Sequence, residues 1–307
     1  MRRIWIAPAV AVAVGATLVS GCSTSSGSSA PPGAGKVLQV AASINVWGSV
    51  LSQIGGSHVH ETSIITNPDT DPHDYESTPR DGTVIAGSQL FVENGIGYDP
   101  WAAKSLAASP DSKRVVLDVQ TLLGLPGDAN PHRWYSPTDV NQVAQAIATD
   151  LTKLDPADAS YYANQLHTFE TKGLATYHSL INEIQTRYAG VKVEASESIF
   201  VLLAQALKLD LITPPSFMDA VNNGTDPSPA DLSTINQQIT SHEDKVYVFN
   251  TQNATPDVTA QVKEAMNAGI PIAKVTETLT PANDSFQQWQ SAQLQDLADA
   301  LHKATGR

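Results

Sequence analysis

The chain has 307 residues and a formal net charge of −13, because 31 Asp and Glu side chains outnumber 18 Lys and Arg. An acidic surface of this kind argues against nucleic acid and anionic phosphates as partners, and it is compatible with cations. With one cysteine the chain cannot form an internal disulfide, so its fold depends on a hydrophobic core.

The first 21 residues have the pattern of a secretory signal peptide. Arg2 and Arg3 give a positive start, and an apolar run follows over 4–19. The run ends in LVSGC at 18–22, which resembles the lipobox of bacterial lipoproteins, where the cysteine is lipidated and begins the mature chain. This resemblance implies that Cys22 anchors the protein on the extracytoplasmic face of the cell membrane. A plain signal peptide with an incidental cysteine is the alternative.

The rest of the chain is predicted to form a tether, two lobes and a connecting helix. Residues 23–36 are almost entirely Ser, Gly, Ala and Pro, so with Cys22 they make a flexible tether over 22–36. We place an N-terminal lobe at 37–154, a connecting helix at 155–189 and a C-terminal lobe at 190–307. Beyond the signal peptide, no segment has the ~20 apolar residues of a transmembrane helix.

Short β-branched runs alternate with helical stretches in two series. We expect strands at 37–43, 59–65, 90–93, 115–119, 191–195, 209–212, 246–250 and 271–275. Helices are expected at 46–55, 80–86, 98–107, 198–207, 229–241, 256–267 and 285–303. This alternation predicts two α/β lobes, each a parallel sheet flanked by helices. Helical periodicity from Pro156 to about Tyr188 predicts one long helix between them, with Gly173 as its weak point.

Helix starts are marked by hydroxyl–proline pairs, which place a capping side chain before a proline at the first helical position. The four pairs are Thr78-Pro79, Ser136-Pro137, Ser228-Pro229 and Thr255-Pro256. Asp81, Asp139 and Asp231 then fall at the third helical position, where they complement the capping or the helix dipole. We therefore interpret these three carboxylates as structural.

Two loops carry a histidine directly after a proline. His73 lies in NPDTDPHDYE at 67–76, and His132 lies in NPHRWYS at 130–136. Each loop follows a predicted strand, where parallel sheets bind ligands. An EF-hand interpretation of the first loop fails, because its sixth position lacks glycine and its twelfth lacks glutamate. Nucleophile-elbow and phosphate-loop motifs are absent from the sequence.

The other histidines are interpreted as surface residues. His58 and His60 flank a strand start, where alternation directs both to the solvent side. His167, His178 and His302 lie on predicted helices at no ligand spacing from another histidine.

The chain resembles the metal-binding solute receptors of ABC importers for zinc and manganese. DPHDYESTPRD at 71–81 and NPHRWYSP at 130–137 look like the first two ligand motifs of that family. SESIFVLLAQALKL at 196–209 resembles the third, and IPIAKVTETL at 270–279 resembles the fourth. The resemblance runs in order through 37–307.

This resemblance implies that a metal lies between the lobes, held by His73 and His132 from the first and by Glu197 and Glu277 from the second. Two imidazoles and two carboxylates suit a borderline-to-hard divalent ion, so Zn²⁺ or Mn²⁺ is expected, and iron is a third candidate. The family's usual fourth ligand is Asp, which leaves Asp284 as an alternative to Glu277. Capping of the following helix is the alternative role for either glutamate.

The implied function is that of a monomeric, lipid-anchored receptor that delivers the metal to the permease of an ABC importer and is not an enzyme. A lipid-anchored zinc hydrolase is one alternative. It would need an open coordination position and a general base beside the metal, and no H-E-x-x-H helix is present. A surface adhesin without metal transport is another.

Overall fold

A computed structural model describes residues 37–69 and 71–307. The predicted signal peptide, Cys22 and the tether fall within 1–36, outside the described residues. In the described part, none of the helices combines the length and the apolar character needed to cross a membrane.

The first lobe is built on a four-stranded parallel sheet in the order β2-β1-β3-β4. Its strands are β1 (Leu38–Ile44), β2 (Val59–Ile65), β3 (Leu90–Glu93) and β4 (Val115–Asp118). Its helices are α1 (Asn45–Gly55), α2 (Pro79–Gly87), α3 (Pro100–Ala108), α4 (Val119–Leu123) and α5 (Pro137–Leu154). Strand β1 is central and buried at every position except Gln39, as expected of a strand covered on both faces.

The connecting segment is helical but interrupted. It comprises α6 (Ala159–Thr168), a π-helical turn (Phe169–Gly173) and α7 (Ala175–Tyr188). The backbone N–H of Leu174 donates to the carbonyl of Phe169 at 2.9 Å, a bond that spans five residues and widens the turn. The single long helix of the prediction is therefore broken at its expected weak point, next to Gly173.

The second lobe repeats the architecture of the first, with strand order β6-β5-β7-β8 and parallel pairing throughout. Its strands are β5 (Lys192–Ala195), β6 (Asp210–Leu211), β7 (Val246–Asn250) and β8 (Ile272–Val275). Its helices are α8 (Val201–Leu207), α9 (Pro215–Asn222), α10 (Pro229–Thr240), α11 (Pro256–Asn267) and α12 (Phe286–Thr305). The predicted fold class of two parallel-sheet α/β lobes is confirmed.

The helix-capping side chains predicted from the sequence make capping hydrogen bonds in the structure. The hydroxyls of Ser136, Ser228 and Thr255 accept from backbone N–H groups in the first turn of their helices. The Asp81 carboxylate accepts from the backbone N–H of Thr78 at 2.6 Å, which closes a capping box at the start of α2. Helices α4 and α9 were not predicted, and α5 was predicted only by its start at Ser136-Pro137; the five residues of α4 are too few to show helical periodicity.

The lobes are joined through a shared core as well as through the connecting segment. One hydrophobic cluster contains residues of both sheets, α7 and α12. The last helix starts against α1 of the first lobe, where the Phe286 N–H donates to Ser49 Oγ at 2.9 Å and Gln287 Nε2 donates to Gln53 Oε1 at 2.7 Å. Because the core is continuous, the boundaries predicted at 154/155 and 189/190 stay predictions.

The carboxyl-terminal edges of the two sheets face each other. In each lobe the second strand lies on one side of the first strand and the third on the other, which opens a crevice beyond the strand ends. Loops after these strands meet across the interface: the Leu279 N–H donates to Asn45 Oδ1 at 3.2 Å, and the Tyr135 hydroxyl donates to the Thr276 carbonyl at 2.8 Å. Side chains that follow the strands of both lobes are thereby brought to one place.

Candidate metal centre

The first lobe presents two histidines on stiff, proline-containing loops. His73 lies in a 3₁₀ turn (Pro72–Asp74) after β2, and its backbone N–H donates to Asp71 Oδ1 at 2.9 Å. His132 follows α4, and its backbone N–H donates to Asn130 Oδ1 at 2.9 Å. In both loops a side chain two residues back fixes the histidine backbone, which is the usual Asx-turn geometry.

The ring of His132 is oriented for ligation. Its Nδ1 lies 3.1 Å from Asn130 Oδ1, an acceptor that assigns the proton to Nδ1 and leaves the Nε2 lone pair free. Trp134 packs edge-on at a centroid distance of 5.6 Å. Complete burial lowers the pKa of His132, which favours the neutral imidazole that binds metals.

Glu277 completes a compact triangle with the two histidines. The Nε2 atoms of His73 and His132 are 3.2 Å apart, and Glu277 Oε2 lies 3.4 Å from the first and 3.6 Å from the second. Ligand atoms about 2.0–2.2 Å from a tetrahedral zinc ion are separated by about 3.3–3.6 Å. The three atoms therefore have the spacing of one face of a metal coordination shell.

Glu277 is held in place by both lobes. The Tyr98 hydroxyl donates to its Oε2 at 2.8 Å, and its backbone N–H donates to Gln252 Oε1 at 2.6 Å. Burial alone would raise the pKa of Glu277, but His73, His132 and the Tyr98 hydroxyl outweigh burial and lower this pKa to about 2. Its carboxylate is thus ready to bind a cation.

Glu197 is buried beside this triangle but is not one of its members. Its two carboxylate oxygens accept from the amides of Asn250 and Asn253, the latter at 3.0 Å. The Asn250 amide also donates to Glu277 Oε1 at 3.0 Å, so one side chain bridges both glutamates. Burial, reinforced by the nearby Glu277 carboxylate, raises the pKa of Glu197 well above its usual value. The carboxylate makes no capping bond to the helix that follows it.

The structure separates the two sequence alternatives for the fourth position. Glu277 lies among the histidines, whereas Asp284 lies in the segment before α12 and lines a different depression with Glu61 and Ser63. Of the two, only Glu277 lies beside the two histidines.

Several residues of the centre carried no assigned role in the sequence. Tyr98 and Asn250 orient the glutamates, and Asn130 orients His132. Asp71 also faces the centre, where burial and then the Glu277 carboxylate raise its pKa to about 6. The available signal was position: Tyr98 follows β3 and Asn250 ends β7, so both lie at carboxyl ends of parallel strands.

A cleft between the lobes leads to the centre. It encloses about 580 Å³ and is lined by His73, Tyr98 and Asn130 from the first lobe and by Ser198 and Asn222 from the second. The side chain of His73 is 17% exposed, whereas those of His132 and Glu277 are fully buried. Of these three side chains, His73 is therefore the one that meets solvent.

The prediction for His58 and His60, which flank the start of β2, is only half right. His60 is exposed, as expected. His58 is mostly buried, with 16% of its side chain exposed, because it lies in a 3₁₀ turn (Gly56–His58) where strand alternation does not apply.

Comparison with known proteins agrees with the fold. The family model described as ZnuA, zinc-uptake complex component A, periplasmic, matches residues 40–300. The crystal structure of ZnuA is similar with a TM-score of 0.68 and 23% identity, covering 88% of this chain and 99% of that one. A periplasmic metal-binding protein of Candidatus Liberibacter asiaticus gives a TM-score of 0.71 at 20% identity, covering 87% and 99%.

Curated relatives match over different lengths. The manganese-binding lipoprotein MntA of Halalkalibacterium halodurans is 28% identical over 151 residues, 48% of this chain and 49% of that protein, so the match spans about half of it. The metal ABC transporter substrate-binding lipoprotein ScbA of Streptococcus cristatus is 25% identical over 286 residues, 87% of this chain and 89% of that protein. Because the family model covers nearly the whole described chain, this protein belongs to the ZnuA family of periplasmic zinc-uptake components.

Proposed function

We propose that this protein is a lipid-anchored receptor that binds a divalent transition metal, zinc or manganese, outside the cytoplasmic membrane and delivers it to an ABC importer. The observation that carries the proposal is the convergence of His73 and His132 from one lobe with Glu277 from the other, at 3.2–3.6 Å. The names of the relatives, a manganese-binding lipoprotein and a metal ABC transporter substrate-binding lipoprotein, support the same role.

Four side chains serve as ligands in this proposal: His73, His132, Glu197 and Glu277. The ligand atoms of His73, His132 and Glu277 already have the spacing of ligands around one metal ion. Glu197 joins them by exchanging its Asn250 contact for the ion. Two imidazoles and two carboxylates neutralise a divalent charge, and they accommodate tetrahedral Zn²⁺ or, with bidentate carboxylates, Mn²⁺. The protein is then a carrier of the ion, with no reaction of its own to catalyse.

Delivery follows from the division of ligands between lobes. Docking on the permease subunit of the importer displaces one lobe, which removes two of the four ligands at once. Lipidation of Cys22 keeps the receptor near that importer on the extracytoplasmic face, and the chain acts as a monomer. The net negative charge of the chain is consistent with attraction of cations to the receptor.

The test is metal binding by the full chain and by matched variants. Protein purified without added metal is assayed for zinc, manganese and iron by mass spectrometry, then stripped and titrated by calorimetry. We expect His132→Ala and Glu277→Gln to lose high-affinity binding, while His167→Ala, an exposed histidine of α6, retains it. If His132→Ala bound zinc and manganese as wild type does, the assignment of the centre would be wrong.

The anchor is tested separately. We expect Cys22→Ser to abolish incorporation of a labelled fatty acid into the protein without changing the metal affinity of the purified chain. Labelling of the variant equal to that of wild type would contradict the lipid anchor and leave the metal centre unaffected.

A further inference from the structure

A second group of metal-ligating side chains lies in the first lobe, away from the interlobe centre. His58, Asp155 and Asp158 each offer one ligand atom, and these three atoms all lie within 4.8 Å of one another. His58 ends the 3₁₀ turn between α1 and β2, and the two aspartates lie in the connection between α5 and α6. The group therefore joins parts of the chain that are about a hundred residues apart.

Two tyrosines orient the ligand atoms. The ring of His58 stacks on Tyr161 with a centroid distance of 4.0 Å and an interplanar angle of 20°, and Tyr162 meets it edge-on at 5.9 Å. Its Nδ1 is buried and lies 3.1 Å from Asp158 Oδ2. The Tyr162 hydroxyl donates to Asp155 Oδ2 at 3.2 Å, which leaves the other oxygen of that carboxylate for a further partner.

The turn that presents His58 is fixed independently of its contact with Asp158. The Tyr161 hydroxyl accepts from the Ser57 N–H at 3.1 Å and packs directly on Gly56. A Cβ at Gly56 would lie 2.1 Å from that hydroxyl, and the residue has a φ of +51°, so only glycine fits. The histidine is thus held in position by the tyrosine, as a ligand fixed before its metal arrives would be.

We propose that His58, Asp155 and Asp158 form a second binding site for a divalent transition metal. One imidazole and two carboxylates match the donor preference of Zn²⁺, Mn²⁺ and similar ions, and two negative charges neutralise the ion. A separation of 3.1 Å between Nδ1 and Oδ2 suits neighbouring ligands of an octahedral ion, which stand about 2.8–3.1 Å apart at bond lengths of about 2.0–2.2 Å, and it is slightly shorter than the tetrahedral spacing of about 3.3 Å. The Asp158 side chain is 31% exposed, so water completes the coordination shell on that side.

This site differs from the interlobe centre because it keeps its ion when the second lobe is displaced. All three ligands belong to the first lobe and to the start of the connecting segment, so displacement of the second lobe leaves them together. An ion here cross-links the end of α1 to the α5–α6 connection and stays with the receptor. With three protein ligands and an open side, it binds more weakly than the ion between the lobes.

The experiment counts bound ions on the full chain, purified in detergent and stripped with a chelator. Zn²⁺ and Co²⁺ are titrated by calorimetry and by equilibrium dialysis. We expect wild type and His60→Ala to bind two ions per chain, with His58→Ala and Asp158→Asn losing the weaker one. His60 is the matched control, because it is exposed and lies two residues along the chain.

A variant that lacks the interlobe centre allows binding at this second site to be measured alone. In His132→Ala/Glu277→Gln protein, Zn²⁺ should still raise the thermal unfolding midpoint, and this rise should disappear when Asp158→Asn, an isosteric change, is added. Binding of one ion by wild type, or two ions by Asp158→Asn, would overturn the proposal and show that His58 and Asp158 form only an ion pair. Loss of both ions on His132→Ala would overturn it too, whereas two ions retained in that variant would refute the interlobe assignment instead.

Discussion

The Tyr98 hydroxyl donates a 2.8 Å hydrogen bond to Oε2 of Glu277, the same carboxylate oxygen that faces the Nε2 atoms of His73 and His132. Tyr98 follows β3 in the first lobe and Glu277 follows β8 in the second. The bond therefore directs an acidic side chain of one lobe toward the imidazoles of the other. It is a charge-assisted bond in a buried position, so its loss should be measurable.

Tyr98→Phe should weaken metal binding about 10–100-fold, the usual cost of removing a partner that orients a metal ligand. The ring and its packing stay, and only the donor to Glu277 is lost. Zn²⁺ calorimetry measures the effect. Tyr177→Phe is the matched control, because that hydroxyl is buried in α7 without a hydrogen-bond partner. Equal affinity in the two variants would mean that Tyr98 does not orient the ligand.

Asn250→Leu should destabilise the metal-free protein by about 1–3 kcal/mol, because two buried carboxylates lose a common donor. Asn250 bridges Glu197 and Glu277, since its amide donates to one oxygen of each. Since a bound ion replaces that donor, zinc should raise the unfolding midpoint more in this variant than in wild type. Thermal unfolding with and without Zn²⁺ measures this, with Asn236→Leu on the exposed face of α10 as control. A midpoint equal to wild type without metal would count against the bridge.

Metal binding should release protons from Glu197 at pH values below its raised pKa. Burial raises the pKa of this carboxyl well above its usual value, and a carboxylate ligand must be ionised, so affinity should increase as the pH rises toward that pKa. Calorimetry in buffers of different ionisation enthalpy counts the released protons. Glu197→Gln should remove the proton release, and Glu183→Gln, an exposed control on α7, should not. Unchanged release in Glu197→Gln would exclude Glu197 as its source.

Stability should fall with rising pH because of Glu194, which lies on β5. Burial, followed by the effect of Asp244, raises the pKa of Glu194 to about 9. The folded state therefore holds a proton that the unfolded state loses above its usual pKa of 4.5, so this contribution to stability is complete below pH 4.5 and is lost as the pH approaches 9.

Glu194→Gln should remove this slope, which is at most about 1.4 kcal/mol per pH unit for one proton. Denaturant unfolding between pH 5 and pH 9 tests it, with the exposed Glu183→Gln of α7 as control. We expect the free energy of unfolding of wild type to fall relative to that of Glu194→Gln as the pH rises. Parallel pH profiles would show that Glu194 titrates normally.

Much of the fold follows from local signals. Eight β-branched runs became the eight strands, because central parallel strands need continuous apolar sequence and little else in the chain has it. Proline and hydroxyl pairs located helix starts, since capping is decided within a few residues. The π-helical turn before Leu174 was visible as a weak point at Gly173, but its widened geometry depends on packing that the sequence does not display.

Only part of the candidate site could be predicted from the sequence. His73 and His132 stand out in proline-flanked loops, whereas Glu197 and Glu277 came from resemblance to a family. Tyr98 became important through a contact with a residue 179 positions away, and no local pattern encodes such a pairing. The same holds for His58, whose burial depends on tyrosines in another part of the chain.

The repeated strand order has a consequence for how tightly an ion is held. Because each sheet offers its strand ends to the other, each lobe contributes half of the ligands of the proposed centre, with imidazoles from one lobe and acids from the other. Either half alone is a weak bidentate ligand, and their combined affinity depends on the effective concentration that the shared core gives one half near the other. Small rigid displacements of one lobe would lower that concentration steeply. The metal affinity of the receptor therefore depends on the distance between its lobes.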